Sequence, residues 1–373
     1  MQHDHVVIGG GLSGLALGAE LAARGTTLVL EAETAPGAHS TGRSAALYTP
    51  NFGPPAVRAL CRASEPALLR PDPDTDTPLM RPRGALSVAA PGREAALTAL
   101  VAGASASHPI HRIDVSEALA LAPLLRPERV AAACLEPGVM DMDVNALQGA
   151  CLARLRARGG TLACDARVTR CERVADGWAV EAGAVSTTAR TVVNAAGAWA
   201  SELAALAGAS PVRLVPHRRT AIVVDAPAGM DLSGMPLVDA AGSDAYFKPE
   251  AGRLMASLGD RVPVHAHDVQ PDELEVASIV DWLETETVVD VRAAPHAWAG
   301  LRTFAPDGCP VVGADPLAPG FFWLAGQGGY GIMMALSLGR AACELIVEGR
   351  WPPALAEAGA SEAARSPARG GAR

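Results

Sequence analysis

A set of glycines and one glutamate near the start of the chain could bind a nucleotide. Gly9, Gly11 and Gly14 fit the pattern G-x-G-x-x-G, and Glu31 follows about 20 residues later. In this pattern the first glycine permits a tight turn, the second lets the backbone approach a pyrophosphate, and the third lets a helix pack closely on a strand. The carboxylate can then accept hydrogen bonds from a ribose diol. The expected chemistry is the binding of a dinucleotide, without an indication yet of which one.

These residues need a strand and a helix to position them. The sequence predicts a short buried strand over residues 6–8, an Ala/Leu-rich helix over 15–24 and a second strand over 26–30. The N-terminus of that helix would face the phosphates, where its partial positive charge is favourable. Because the glycines lie between strand and helix and an acid follows, the motif is far more specific than the glycines alone.

Later segments repeat this arrangement of strand, turn and helix. Residues 191–194 predict a strand that runs into a turn of small residues and a helix over 200–207. Residues 321–324 predict another strand, followed by a glycine-rich turn over 326–331 and a helix over 332–348. We therefore expect both segments to belong to the nucleotide-binding domain.

The segment 36–46 combines small and hydroxyl residues with Arg43. Backbone N–H groups, hydroxyls and a cation suit a loop that holds phosphate or ribityl groups. An ordinary polar loop would have the same composition, so this segment alone does not decide between the two.

The composition limits the class of protein. The chain has 373 residues, 49% of them hydrophobic and 19% charged, as expected for a soluble globular enzyme of two domains. Its net charge of −9 argues against a nucleic-acid partner. The seven cysteines show neither C-x-x-C nor a Cys/His zinc spacing, so we expect reduced thiols, no metal site and a cytoplasmic location. Only five residues precede the first strand, so we expect no signal peptide.

The remaining segments predict a second domain and a few loops. Residues 211–295 contain short strand-like runs and a helix over 271–286. Two of the runs, joined by a turn over 249–252, predict a hairpin over 245–257. Residues 70–82 are rich in Pro and Asp and predict a surface loop. The uncharged segment 316–339 could span a bilayer by length, but its prolines and glycines favour a strand, turn and helix, so we expect no transmembrane segment. Residues 356–373 predict a disordered tail.

Together these motifs resemble the D-amino acid oxidase family of flavoproteins. The resemblance rests on the nucleotide motif, on STGRSAA at 40–46, NAAGAW at 194–199 and GGYGI at 328–332. Within that family, long strings at 39–46, 266–271, 298–302 and 327–332 resemble D-arginine dehydrogenase, and the likeness covers nearly the whole chain.

The resemblance implies FAD as the cofactor and an α/β fold with a Rossmann-like, doubly wound FAD-binding domain. This domain would be discontinuous, formed by residues 1–80, 140–210 and 296–355, beside an α+β substrate domain with an antiparallel sheet, formed by 81–139 and 211–295. Some relatives bind flavin through a cysteine near the segment that matches 300–305, where this chain has none, so we expect noncovalent FAD. The implied cofactor-binding residues are Gly9, Gly11, Ser13, Gly14, Glu31, Ala32, Thr41, Arg43, Ser44, Ala45, Val168, Ala196, Gly197, Gly300, Gly328, Gly329, Tyr330, Gly331 and Ile332.

The resemblance also implies a catalytic site for an amino acid. Arg219 and Arg302 would grip the substrate carboxylate, and Tyr246 would add a phenol hydrogen bond. Oxidation would transfer a hydride from Cα to flavin N5, leaving an imine that hydrolyses to a 2-oxo acid and ammonia. The expected substrates are D-amino acids.

Four pocket positions differ from D-arginine dehydrogenase. Leu47, Phe52, Ala85 and Met333 stand where that enzyme has histidine, tyrosine, glutamate and glutamine. An unpaired cation buried among such residues would cost several kcal/mol, so we expect a preference for neutral or apolar side chains.

Two other functions remain open from the sequence. The same three residues, Arg219, Arg302 and Tyr246 (the carboxylate clamp), would also bind a secondary amine of the sarcosine or proline type, or a 2-hydroxy acid. A flavin-binding protein without turnover is a third possibility, against which the clamp residues argue. The electron acceptor is left open between O2, a quinone and another partner.

Overall fold

The computed structural model describes residues 2–70 and 78–369. The helices are α1 (Leu12–Leu21), α2 (Pro55–Leu68), α3 (Glu94–Gly103), α4 (Val115–Leu121), α5 (Val144–Ala157), α6 (Ala200–Leu206), α7 (Glu273–Glu286), α8 (Gly331–Glu348) and α9 (Pro353–Glu357). The strands are β1 (Gln2–Ile8), β2 (Thr27–Leu30), β3 (Leu47–Tyr48), β4 (Met80–Pro82), β5 (Ala85–Ala89), β6 (His111–Ile113), β7 (Ala132–Glu136), β8 (Met140–Met142), β9 (Thr161–Ala163), β10 (Val168–Val174), β11 (Gly177–Ala182), β12 (Val185–Asn194), β13 (Val215–Asp225), β14 (Leu237–Ala240), β15 (Tyr246–Glu250), β16 (Arg253–Ser257), β17 (Val262–Pro263), β18 (His296–Phe304), β19 (Val311–Ala314) and β20 (Phe321–Ala325).

The first sheet has a parallel centre in the order β9-β2-β1-β12-β20. The antiparallel strands β10 and β11 extend it beside β12, and β19 pairs with β20. Strand β1 is buried towards its carboxyl end and β2 along its whole length, and one apolar core joins them to α1, α5 and α8. The glycine turn therefore lies at the carboxyl edge of the parallel strands, where doubly wound sheets bind their ligands.

The second sheet is mostly antiparallel, in the order β6-β7-β5-β14-β15-β16-β13, with β18 along the far side of β13. Only the β14–β5 pair among these described strands runs parallel. Side chains alternate across this sheet. Leu86, Val238 and Phe247 lie in the core that includes α4 and α7, so their neighbours Ser87, Asp239 and Tyr246 face the other side.

The predicted fold class is confirmed, including the hairpin of β15 and β16 and the helix after the third glycine turn. One domain boundary is wrong. We placed residues 296–304 in the first domain, but they form β18, which pairs with β13 in the second sheet. The pairing of β18 with β13 assigns residues 296–304 to the second sheet, and no local pattern of residues records that pairing.

The prediction of a disordered tail over 356–373 is wrong for residues 356–369. Trp351 donates its indole N–H to the Ala360 carbonyl at 2.7 Å, and Val312 donates its backbone N–H to the Arg365 carbonyl at 2.9 Å. Arg369 forms an ion pair with Asp307 at 2.8 Å. Ala- and Gly-rich composition suggested disorder, but backbone carbonyls make most of these contacts and composition does not report them. Residues 370–373, and residues 71–77 of the predicted loop, lie outside the described part of the chain.

No helix in the described ranges 2–70 and 78–369 is both long and apolar enough to cross a membrane. The segment 316–339 forms β20, the glycine-rich turn and the first half of α8, as expected. No disulfide joins the seven cysteines, which all lie in the described part of the chain, and all except Cys164 are buried.

We expect a chain ended at residue 357 to be less stable than the full chain. The loss of the contacts to Trp351, Val312 and Asp307 should lower the free energy of unfolding by about 2–4 kcal/mol, at roughly 1 kcal/mol for each hydrogen bond. Thermal or urea unfolding measures this change. The control is Arg350→Ala, which removes only an exposed ion pair to Glu348. Equal stability of the shortened and full chains would contradict the packed tail.

Candidate functional site

A cavity of about 1100 Å³ lies between the carboxyl edge of the first sheet and the open face of the second. Its lining includes residues from the β1–α1 turn, from the segment 37–47, from the start of α8 and from β5, β13, β14, β15 and β18. The volume lies slightly above the 300–1,000 Å³ that is usual for small-ligand pockets. It therefore has room for a long cofactor together with a small substrate.

The β1–α1 turn accepts only glycine at two positions. Gly9 has φ +117°, and a Cβ there would lie 2.2 Å from the carbonyl oxygen of Ala195. A Cβ at Gly14 would lie 1.9 Å from the carbonyl oxygen of Gly9. Helix α1 therefore starts directly against the end of β1, as the motif predicted. No acidic residue lies in its first turn, so nothing there repels a phosphate.

Glu31 lies at the end of β2, and the backbone orients its carboxylate. One oxygen accepts the N–H of Gly10 at 2.8 Å and the other accepts the N–H of Glu33 at 2.9 Å. Both oxygens keep lone pairs, and the residue lines the cavity. This geometry fits the acceptor of a ribose diol that the spacing predicted.

Other backbone and hydroxyl groups complete a cradle. Thr41 accepts the N–H of Leu12 at 3.1 Å and so ties the segment 37–47 to the start of α1. Ser13 hydrogen-bonds Gln327 and so ties α1 to the turn before α8. Two helix N-termini thus approach one cavity, and the residues present fit the diphosphate and flavin parts of FAD. The predicted cofactor residues that line the cavity are Gly9, Gly11, Ser13, Glu31, Ala32, Thr41, Ser44, Ala45, Val168, Ala196, Gly197, Gly328, Gly329, Gly331 and Ile332.

Four predicted cofactor residues do not line the cavity: Gly14, Arg43, Gly300 and Tyr330. Gly14 acts beneath the turn, as described above. The side chain of Arg43, which we predicted to lie along the cofactor, forms an ion pair with Asp268 at 2.6 Å and donates to the Val269 carbonyl at 3.1 Å. An arginine in a phosphate-binding type of loop can turn either way, and the sequence does not show the acid that attracts it.

Gly300 and Tyr330 also have other contacts. A Cβ at Gly300 would lie 2.9 Å from Nη1 of Arg302, so this glycine makes room for the guanidinium. The ring of Tyr330 packs against Phe52 and Phe304, with ring centroids 5.3 Å and 6.3 Å away.

Arg219, Tyr246 and Arg302 all line the cavity. Arg219 lies opposite Gly300 in the β13–β18 pair, and Arg302 lies opposite His217. The two arginines are therefore diagonal neighbours on one face of the sheet. Tyr246 lies on β15, and the charges of both arginines act on its phenol. The sheet thus brings together two cations and one hydroxyl that are 27 to 83 residues apart in the numbering of the chain.

Arg302 is held by backbone carbonyls alone. Its Nη2 donates to the Arg43 carbonyl at 2.8 Å and its Nη1 to the Leu301 carbonyl at 3.1 Å. The described residues provide no carboxylate within ion-pair distance of it. Burial, and then the charge of Arg219, lower the pKa of Arg302 to about 10, so it stays a cation at neutral pH. Burial raises the pKa of Tyr246, which stays a neutral phenol able to donate.

The structure distinguishes the neighbouring arginines 218 and 219. Arg218 forms an ion pair with Glu275 at 2.7 Å and does not line the cavity. Arg219 donates to the Gly259 carbonyl at 2.7 Å and lies only 4.0 Å from Asp244. Alternation along β13 therefore points Arg219, and not Arg218, into the cavity.

The predicted pocket residues Leu47, Phe52, Ala85 and Met333 line the cavity. The pocket is nevertheless less apolar than these four positions suggested, because five polar residues that we did not predict share its wall. They are Asn51, Arg58, Ser87, Glu136 and Asp239. Glu136 lies directly opposite Ala85 on β7, and Asp239 lies opposite Ser87 on β14.

Burial shifts the pKa values of the carboxyl groups of Glu136 and Asp239. Burial raises the pKa of Glu136, although Asn51 donates its amide to it at 2.8 Å. Burial also raises the pKa of Asp239 to about 7, against the hydrogen bond from Ser87 at 2.8 Å. The signal that could have found Asp239 is a single acid within the short apolar run 237–240, which forms β14.

Comparisons with known proteins agree with this architecture. The protein is 31% identical to FAD-dependent oxidoreductase domain-containing protein 1 of Bos taurus over 183 residues, which are 43% of this chain and 36% of that protein. The chain thus spans about a third of the length of that relative and of its Xenopus laevis counterpart. Glycine oxidase of Geobacillus kaustophilus is 24% identical over 365 residues, which are 92% of this chain and 93% of that protein.

Solved structures share the fold over almost the whole chain. The crystal structure of the Geobacillus kaustophilus glycine oxidase matches with a TM-score of 0.80 and 24% identity, covering 94% of this chain and 96% of that one. The crystal structure of L-proline dehydrogenase from P. horikoshii matches with a TM-score of 0.80 and 22% identity, covering 94% of each chain. The model of the DAO family, described as FAD dependent oxidoreductase, matches residues 4–345. The chain is therefore a member of the DAO family of FAD-dependent oxidoreductases, and FAD is its cofactor.

Proposed function

We propose that this enzyme oxidises the Cα–N bond of a D-amino acid whose carboxylate is bound by Arg219, Arg302 and Tyr246. The observation that carries the proposal is the guanidinium of Arg302, which is desolvated, aimed at the cavity and without a carboxylate partner in the described chain. Such a cation binds an anion in preference to a neutral group. The D configuration is supported by the likeness of the long strings at 39–46 and 298–302 to D-arginine dehydrogenase.

The residues of the chain contribute mainly by orientation. Bound FAD supplies the acceptor for the hydride that leaves Cα. Arg302 and Arg219 hold one end of the substrate by its carboxylate, and Tyr246 donates a third hydrogen bond. We assign no side chain as general base, and the bound ammonium loses its proton through water so that the amine lone pair can form the imine.

The expected preference for neutral or apolar side chains now applies to one part of the wall only. Leu47, Ala85 and Met333 favour apolar groups, whereas Ser87 and Asp239 on the same wall offer polar contacts. The proposed function therefore includes amino acids with either kind of side chain.

A second candidate is the oxidation of a secondary amine that carries a carboxylate. L-proline dehydrogenase, named for such a substrate, shares the fold across 94% of this chain. The same clamp would hold this substrate, or a 2-hydroxy acid, because it recognises the carboxylate and not the amine.

Anaerobic mixing of the holoenzyme with a substrate panel tests these proposals directly. The panel holds D- and L-amino acids, sarcosine, proline and 2-hydroxy acids. We expect D-amino acids to bleach the flavin absorption band, whatever the natural electron acceptor. Admitting air afterwards separates O2 from a quinone or another acceptor. If only secondary amines or 2-hydroxy acids bleach the flavin, the proposed D-amino acid substrate is wrong and that class takes its place. If no compound of the panel bleaches it, a flavin protein without turnover is favoured.

Substitution of the clamp provides a second prediction. Arg219→Met and Arg302→Met should each weaken substrate binding about 10- to 100-fold, because each removes a charge-assisted hydrogen bond to the carboxylate. Apparent dissociation constants from anaerobic flavin reduction measure the effect. The matched control is Arg218→Met, one residue away, whose guanidinium pairs with Glu275 outside the cavity. Equal weakening by Arg218→Met would contradict the assignment of Arg219.

We further propose that FAD is bound without a covalent link, since no cysteine occurs among the described residues that line the cavity. Acid denaturation followed by centrifugation should leave the yellow flavin in the supernatant. Colour that stays with the precipitated protein would contradict this proposal.

A further inference from the structure

The carboxyl group of Asp239 lies in a row of side chains that crosses the open face of the second sheet. Asp239 lies opposite Ser87 in the β14–β5 pair and opposite Tyr246 in the β14–β15 pair. Paired residues point to the same face, and their Cβ atoms lie about 4.5–5.5 Å apart. The acid is therefore on the wall that carries the carboxylate clamp, next to one of its members.

Asp239 lacks the N–H donors that three other acids of the cavity have. Glu31 accepts two backbone N–H groups, Glu136 accepts the amide of Asn51, and Asp244 forms an ion pair with Arg261 at 2.8 Å. Asp239 accepts one hydroxyl, that of Ser87, at 2.8 Å. No lysine, arginine or histidine in the described chain lies within ion-pair distance of it.

The surroundings make that carboxyl an unmatched acceptor. Two of its neighbours along the wall, Ala85 and Leu237, are small or apolar and offer no donor side chain. The phenol of Tyr246, opposite Asp239, hydrogen-bonds Ser257 instead. Burial raises the pKa of Asp239 to about 7, because removing the charged carboxylate from water costs free energy. A cationic or N–H-bearing group of a ligand would offset that cost, as ion pairing does for any desolvated carboxylate.

We propose that Asp239 is a specificity-determining residue that binds a cationic or N–H-bearing group in the side chain of the substrate. This inference rests on the proposed function, because the clamp must hold the carboxylate while Asp239 receives the other end. The substrate class is then an amino acid with a nitrogen-bearing side chain, whose apolar stem passes Ala85 and Leu237. Ala85 lacks the carboxylate that D-arginine dehydrogenase has at this position, and Asp239 on the neighbouring strand β14 would supply one instead.

Binding of ligands that lack an α-amine tests this inference without turnover. The probes are 3-aminopropanoate, 4-aminobutanoate, 5-aminopentanoate and 6-aminohexanoate, each compared with the unsubstituted carboxylate of the same length. Dissociation constants come from the perturbation of the flavin absorption spectrum of the holoenzyme. A pH of about 8.5 keeps Asp239 ionised and the probe amines protonated. We expect the amino compound to bind at least about tenfold more tightly at one chain length.

Substitutions then assign the preference to this residue. In Asp239→Asn, the dissociation constants of the amino and plain carboxylates should differ by no more than about threefold. Asp225→Asn makes the same change on an exposed side chain of β13 and should leave the preference for the amino compound intact. Asp239→Glu should move the best probe to one that is one carbon shorter, because its carboxyl reaches one methylene further. A merely structural role would not produce such a shift, and flavin content checks that each variant is folded.

The outcomes separate the two proposals. Equal binding of amino and plain carboxylates at every length, with both displaced by substrate, would overturn the role of Asp239 and leave the clamp standing. A preference that persists in Asp239→Asn and keeps its chain length in Asp239→Glu would also overturn that role. Binding of none of the carboxylates would overturn the clamp and the inference together.

Discussion

A guanidinium kept from bulk water without a carboxylate partner is the constraint on which the site depends. Burying a cation is costly unless hydrogen bonds and counter-charge compensate. The Arg43 and Leu301 carbonyls supply the hydrogen bonds to Arg302, Gly300 supplies the space, and the β13–β18 pairing sets the position of Arg219 beside it. The carboxylate of the proposed substrate would supply the missing counter-charge.

The same constraint joins the two domains. Arg43 belongs to the loop that follows the nucleotide motif, yet its side chain pairs with Asp268 and its carbonyl holds Arg302, both from the second domain. In the first domain, glycine at positions 9 and 14 lets β1 and α1 meet without side chains between them. One domain therefore has N–H groups and a helix N-terminus at the cavity that fit FAD, and the other has the charged side chains that we propose bind the substrate.

The charged side chains that the strands of the second sheet present to the cavity are separated by sign. The cations Arg219 and Arg302 lie on β13 and β18, whereas the carboxyls of Asp239 and Glu136 lie on β14 and β7, across the same sheet. Apolar side chains from β3, β5 and α8 lie on the wall with them. Such a distribution orients a ligand by its two ends, since reversal would bring like charges together.

The sequence by itself determined what depends on near neighbours: the strand, glycine turn and helix, the acid at the end of β2, and the later repeats of that unit. Their signals are local spacing and hydrophobic period, and the family likeness extended them to Arg219, Tyr246 and Arg302. Only the tertiary structure decided the direction of Arg43, the packing of residues 356–369 and the place of Asp239. Ser87 and Asp239 are 152 residues apart and meet through the register of β5 with β14. Register is set by pairing and burial across the whole sheet, and no local pattern of residues records it.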